Sequence, residues 1–142
     1  VCANDQARRH MQRVCDATMA SRGRHSTLAI IGVLSHAPNV KLRQAIRDSW
    51  LSEAARARSI QRQGLDVVFV VRNVGAPRAL HKEAKARHDV VFLPARYDLS
   101  RKRGPLESLF LWLRCALARW PRVEFIGKGD DDVFFHLSGI AA

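Results

Sequence analysis

The sequence predicts an α/β fold, a mostly parallel sheet with helices on both faces, and three observations predict it. Four short apolar runs, rich in β-branched residues, are separated by longer segments of helical period. The runs are apolar at consecutive positions rather than alternate ones, so each strand is expected to be buried on both faces. The chain has 142 residues, of which 47% are apolar, enough for one core.

The elements follow in order. Residues 1–24 read as a basic helical lead-in with a weak apolar spacing at Met11, Val14, Cys15 and Met19. Thr27 to Leu34 is the first buried strand. Ser35 to Asn39 is a turn around Pro38, with Asn39 placed to cap the next helix. Val40 to about Arg58 has helical period, and Leu42, Ile46, Trp50 and Ala54 predict one buried stripe. Gly64 breaks that pattern before the second strand, Leu65 to Val71. Pro77 opens a short charged helix to Arg87, and Asp89 to Leu93 is the third strand, closed by Pro94. Ala95 to Gly104 reads as a polar, basic loop. Pro105 starts a strong helical pattern of Leu106, Leu109, Phe110, Leu113, Leu117 and Trp120, ended by Pro121. Val123 to Gly127 is the fourth strand, leading into Lys128-Gly129-Asp130-Asp131-Asp132 and then the apolar Val133 to Phe135. Active groups of such a sheet are expected at the carboxyl ends of the strands. The expected division is a lead-in, 1–24, and an incomplete α/β domain, 25–142.

Composition excludes several classes. Disordered, collagen-like and low-complexity chains do not have this apolar content. No apolar run approaches the roughly 18 residues that span a bilayer. Cys2, Cys15 and Cys115 are too few and too scattered for a disulfide scaffold and lack zinc-type pairing. Lys and Arg number 24 against 13 Asp and Glu, a net charge of +11. Such a charge suits a polyanion, but apart from Arg101-Lys102-Arg103 the positives are spread along helices, as on an ordinary solvated surface. The chain starts at Val1 and stops at Ala142, soon after its most acidic segment, and reads as a piece of a longer one.

That segment is the strongest chemical feature. Three adjacent carboxylates repel one another and call for water, a basic side chain or a hard cation to offset them. In extended chain Asp130 and Asp132 point the same way while Asp131 turns aside, and Lys128 is placed to help with a phosphate. A solvated acidic turn is the plain alternative. His136 lies just beyond, a wall residue more than a ligand. GxxxxGK[ST], GxGxxG and HExxH motifs are absent. Arg43 and Arg47 are four apart on one helical face, able to bind a diphosphate, pair with buried carboxylates or face solvent.

Arg43-Gln44-Ala45-Ile46-Arg47-Asp48-Ser49-Trp50 resembles the RxxIRxTW element of the β-1,3-galactosyltransferase family, with Ser49 in place of Thr. Phe69 to Arg72, Glu83, Asp89 to Phe92, and Phe125 through Asp130-Asp131-Asp132 to Phe134 resemble that family's later elements in the same order. Leu99-Ser100-Arg101-Lys102 echoes a further one. The likeness covers about residues 27–137. It implies a GT-A-like fold and an inverting transfer of galactose or an N-acetylhexosamine from a UDP-sugar to a hydroxyl of a glycan or glycoprotein acceptor. It implies Mn²⁺ at Asp130 and Asp132. Ser35, Arg43, Arg47, Asp89, Lys128, Asp130 and Asp131 would serve the nucleotide sugar or hold its pocket, with Asp89 near the base. It also implies the lumenal side of the Golgi membrane, reached through a signal-anchor absent from this chain, and no nucleic-acid partner. The general base and acceptor site are expected after Asp132, so this stretch alone is expected to be inactive. A metal-dependent phosphoryl transferase or nuclease, and a non-catalytic basic binding domain, are the rival readings.

Overall fold

A computed structural model describes residue 15, residues 27–95 and residues 103–140. Apart from Cys15, the expected lead-in falls outside these residues, as does the 99–102 echo. The elements are β1 (Ala29–Ser35), α1 (Val40–Asp48), α2 (Glu53–Gln63), β2 (Leu65–Arg72), α3 (Arg78–Arg87), β3 (Val90–Leu93), α4 (Arg103–Arg119), β4 (Phe125–Asp130) and a single turn, α5 (Leu137–Ile140).

Among the described residues the sheet has four strands in the order β3-β2-β1-β4, all parallel. The GT-A-like α/β expectation agrees with this sheet and with the helices on its two faces. One face buries Ile31, Val33, Val67, Phe69, Val71, Val90 and Phe92 with Ile46 and Trp50, and with Leu80 and Ala84 of α3. The other buries Ile30, Val68, Val70, Val91 and Leu93 against Trp112, Cys115 and Ala116 of α4. Consecutive apolar residues in β2 are therefore all used, because alternate side chains enter different layers.

The chain order reverses between β1 and β4. From β1 the chain moves outward to β2 and β3, then returns past its starting strand. Register pairs Leu34 with Asp130, so the carboxyl ends of β1 and β4 lie side by side. Such a reversal leaves a crevice outside the strand ends, where ligands of open α/β sheets bind.

Four expectations are corrected. The helix predicted from Val40 to Arg58 is two helices. The Ser49 hydroxyl donates to the Ala45 and Ile46 carbonyls, taking acceptors that a continuing helix would use. The chain then turns Trp50 and Leu51 inward, while Leu42 and Ala54 of the predicted stripe are exposed. In α4 much of the predicted stripe faces solvent: Leu106 is 71%, Phe110 57% and Leu117 59% exposed, while its Leu109 and Trp120 pack against the core. The helix is apolar on two sides, and the larger Trp112 takes the core. Gly32 lacks the Cβ that would stand 2.3 Å from the Trp112 ring, and the indole Nε1 donates to the Gly127 carbonyl at 2.9 Å. The fourth strand is shifted, running from Phe125 to Asp130, so the first carboxylate of the acidic run belongs to the sheet. Finally, Cys15 and Cys115 form a disulfide across 100 residues of sequence, with Cα atoms 5.9 Å apart. Scattered spacing in sequence says nothing of distance in space once a helix brings Cys115 into the core.

Candidate functional site

The crevice at the reversal point is a cleft of about 780 Å³. Its walls are the turn after β1 (Leu34 to Ala37 and Asn39), the ends of β2 and β4, and the first turns of α4 at Gly104, Pro105 and Ser108. Asp130 and Asp132 line it. Asp131 points the other way: Ser35 Oγ donates to its carboxylate at 2.7 Å and Asn39 Nδ2 at 2.9 Å. Asp130 ends β4 and Asp131 and Asp132 form the turn that follows, so a strand end and a turn, not the extended alternation expected, divide the three acids: Asp130 and Asp132 line the cleft and Asp131 is held by Ser35 and Asn39. Asn39 does sit before α1, but its side chain makes no helix cap and binds Asp131 instead.

Beneath this lies a buried ion network. Arg43 is fully buried, and its guanidinium is saturated. Nε and Nη2 donate to the two Glu83 oxygens at 2.9 and 2.8 Å. Nη1 donates to Ser35 Oγ at 2.9 Å and the His36 carbonyl at 2.8 Å, and Nη2 also reaches the Ala37 carbonyl at 3.2 Å. Arg47 donates to Glu83 at 2.8 Å and to both oxygens of Asp89 at 2.9 Å, with its guanidinium 4.7 Å above the Phe69 ring. Arg56 completes the set, donating to the Val67 carbonyl at 2.7 Å and lying 3.8 Å from Asp89. The polar chain Asp131–Ser35–Arg43–Glu83–Arg47–Asp89 therefore ties the acidic segment to α1, α3 and the start of β3.

The electrostatics follow. Burial pushes the Glu83 carboxyl up, but hydrogen bonds from Arg43 and Arg47 and their charges together outweigh it and hold its pKa below the ordinary value. Burial likewise lowers Arg47, but hydrogen bonding and attraction to Asp89 and Glu83 leave it raised.

Each expected site residue can now be placed. Ser35, Asp130 and Asp132 line the cleft, and Asp131 braces its floor through Ser35 and Asn39. Arg43 turns its donors to Glu83, Ser35 and the carbonyls of His36 and Ala37, and Arg47 turns Nε and Nη2 to Asp89 and Glu83, the pairing with buried carboxylates that an i,i+4 arginine pair allowed. Asp89, expected near a base, is buried at the start of β3 under Arg47. Lys128 is exposed and paired with Asp130, partly neutralising it. Sequence reasoning missed Arg72, which bridges the end of β2 to Glu107 and the Gly104 carbonyl of α4. It also missed Ser108 and Gly104, which line the cleft because α4 is rotated from its predicted phase.

Two further expectations are corrected. Manganese does not fit: among the described residues no group of three or more His, Cys, Asp or Glu side chains could hold a metal ion. With Asp131 occupied and Asp130 paired to Lys128, the acidic run does not supply a converging donor set, and His136 is engaged with Ser138 Oγ at 3.0 Å. The membrane and signal-anchor expectation is corrected for the described residues, in which no helix is long and apolar enough to cross a membrane.

The chain has no significant match among curated proteins. The family model described as galactosyltransferase matches residues 41–142, from the arginine pair of α1 through the three aspartates. That span holds nearly all of the parallel sheet's helical cover and every carboxylate at the cleft, and on it the chain belongs to the galactosyltransferase family, whose chemistry is sugar transfer.

Proposed function

We propose that the cleft binds the UDP-sugar donor of an inverting transfer of galactose or an N-acetylhexosamine to an acceptor hydroxyl on a glycan or glycoprotein. The observation that carries this is the pair Asp130 and Asp132 facing a cleft at the reversal point of a parallel sheet, with Asp131 turned away. Two carboxylates in a cleft are acceptors for hydroxyl groups, and ribose and hexose are dense in them. The first turns of α4 form the opposite wall, and the positive end of a helix dipole favours a diphosphate. Holding the leaving diphosphate there and the sugar hydroxyls on the aspartates presents the anomeric carbon for attack from the opposite face. The Cys15–Cys115 bond supports an oxidising compartment, such as the lumen of the secretory pathway.

Calorimetric titration of the chain with UDP and UDP-galactose tests the reading. Asp132→Asn keeps the size and removes the charge, and is expected to weaken UDP-galactose about tenfold, the worth of one charge-assisted hydrogen bond. Undiminished affinity in that variant, or no binding of UDP to the parent chain, refutes the donor assignment.

A further inference from the structure

A second concavity lies on the other side of the acidic segment. It holds about 360 Å³ between α2 and the chain from Phe134 to Ser138. Its floor is aromatic. Trp50 meets Phe135 edge-on at 5.3 Å and Phe134 at 6.4 Å, and Phe134 is 71% exposed. Gly129 sets this geometry. A Cβ there would stand 2.4 Å from the Phe135 ring, so only glycine lets the ring fold back under β4 and carry Phe134 beside Trp50.

Its rim is cationic. Arg58 and Arg62 line the groove one helical turn apart, with Cβ atoms about 6 Å apart by helix geometry. Both are exposed. The only acid of α2 is Glu53, in its first turn. Like charges at this spacing oppose helix formation, and no acidic side chain among the described residues pairs with either. Arg56 of the same helix turns inward to Val67 and Asp89. The outward pair thus presents two forked donors over an aromatic surface. That combination suits a pyranose whose C–H face packs on an aromatic ring and whose carboxylate or sulfate meets arginine.

We infer that this groove binds an anionic saccharide, a sugar carrying a carboxylate or sulfate group, as the acceptor side of the transfer. Phe134 lies two residues past Asp132, so the chain keeps this edge of the groove within about 7 Å of an acid that lines the donor cleft. The word acceptor rests on the donor reading above; the binding of the saccharide does not.

The test follows the Trp50 indole NMR resonance while a sulfated, uronate-containing disaccharide of heparin type is added to the chain. N-acetyllactosamine serves as the neutral control and inorganic sulfate as the anion control. The disaccharide is expected to shift the resonance saturably and more tightly than either control. Arg58→Ala combined with Arg62→Ala is expected to weaken it at least about tenfold, and Phe134→Ala to weaken it too, with circular dichroism and UDP affinity unchanged, since all three side chains are at the surface. No binding, unchanged affinity in the double variant, or sulfate binding as tightly as the disaccharide overturns the inference. UDP titrated into the same samples separates the two readings. Saccharide binding without UDP binding removes the donor assignment alone, and UDP binding without saccharide binding removes this one.

Discussion

Replacing Arg43 with Met removes the hub of the buried network and keeps the volume of the aliphatic stem. The Glu83 carboxylate then loses two hydrogen bonds, Ser35 loses one, and the carbonyls of His36 and Ala37 lose their donors. Breaking a buried ion pair by removing one partner costs about 3–5 kcal/mol. Glu83 keeps Arg47 at 2.8 Å, which argues for the lower end, about 3 kcal/mol. With a urea dependence of about 2 kcal/mol per molar, the unfolding midpoint falls by roughly 1.5 M. Arg43→Lys keeps the charge without the fork and is expected to lie between the two. In the double variant Arg43→Met, Glu83→Leu the losses are expected to fall short of their sum by at least ~1 kcal/mol, because no uncompensated carboxylate remains.

Acid supplies an independent reading of the same network. Glu83 is held below the ordinary glutamate value of 4.5, so its contribution is complete above that pH and is lost as pH falls through its folded-state pKa. Arg43→Met lessens the depression, and its stability is expected to fall less steeply with acid than the parent's. A loss under about 1 kcal/mol at neutral pH, or an unchanged acid slope, would show that the network is not what holds these elements together.

Other substitutions probe other layers. Gly32→Ala drives a methyl to 2.3 Å from the Trp112 ring and is expected to lower urea stability by about 1–3 kcal/mol, while loss within 0.5 kcal/mol would mean the indole sits elsewhere. Phe110→Ser, on the solvent face of α4, is expected to change stability by no more than about 0.5 kcal/mol, whereas a core position would lose several. Reducing the Cys15–Cys115 bond is expected to lower stability by about 2–5 kcal/mol, read as a shift in unfolding midpoint with and without reductant.

Three of the four strands were legible almost to the residue, because a strand buried on both faces writes its burial into consecutive positions, as Leu65 to Val71 does. The phase of α4 was not legible. Leu106, Phe110, Leu113 and Leu117 make a better stripe on paper than Gly104, Ser108, Trp112 and Cys115, and the choice turned on space opened by Gly32 more than seventy residues earlier. The paired guanidiniums of α1 stood out, but their acids lie on α3 and β3, and sequence left three partners open for them. The acidic run was read as extended chain with Asp131 apart from its neighbours; Asp131 does part from Asp130 and Asp132, but through a turn after β4. What Asp131 turns toward depended on Ser35 and Asn39, which only the parallel pairing of β1 with β4 brings near.

The reversal between β1 and β4 also bears on how the chain reaches its native state. β2 pairs with β1 and β3 with β2 between stretches that are near in sequence, while Ser35 and Asp131 are 96 residues apart and the disulfide closes 100. Each doubling of a closed loop adds about 0.6 kcal/mol of chain entropy to be overcome before contacts repay it. Zipping of the three earlier strands is favoured first, and the two carboxylates meet their cleft only when β4 docks on β1. On the proposed donor reading, ligand capture at this crevice is a late reporter of folding, and a substitution that slows β4 docking would withhold binding competence while much of the secondary structure is already in place.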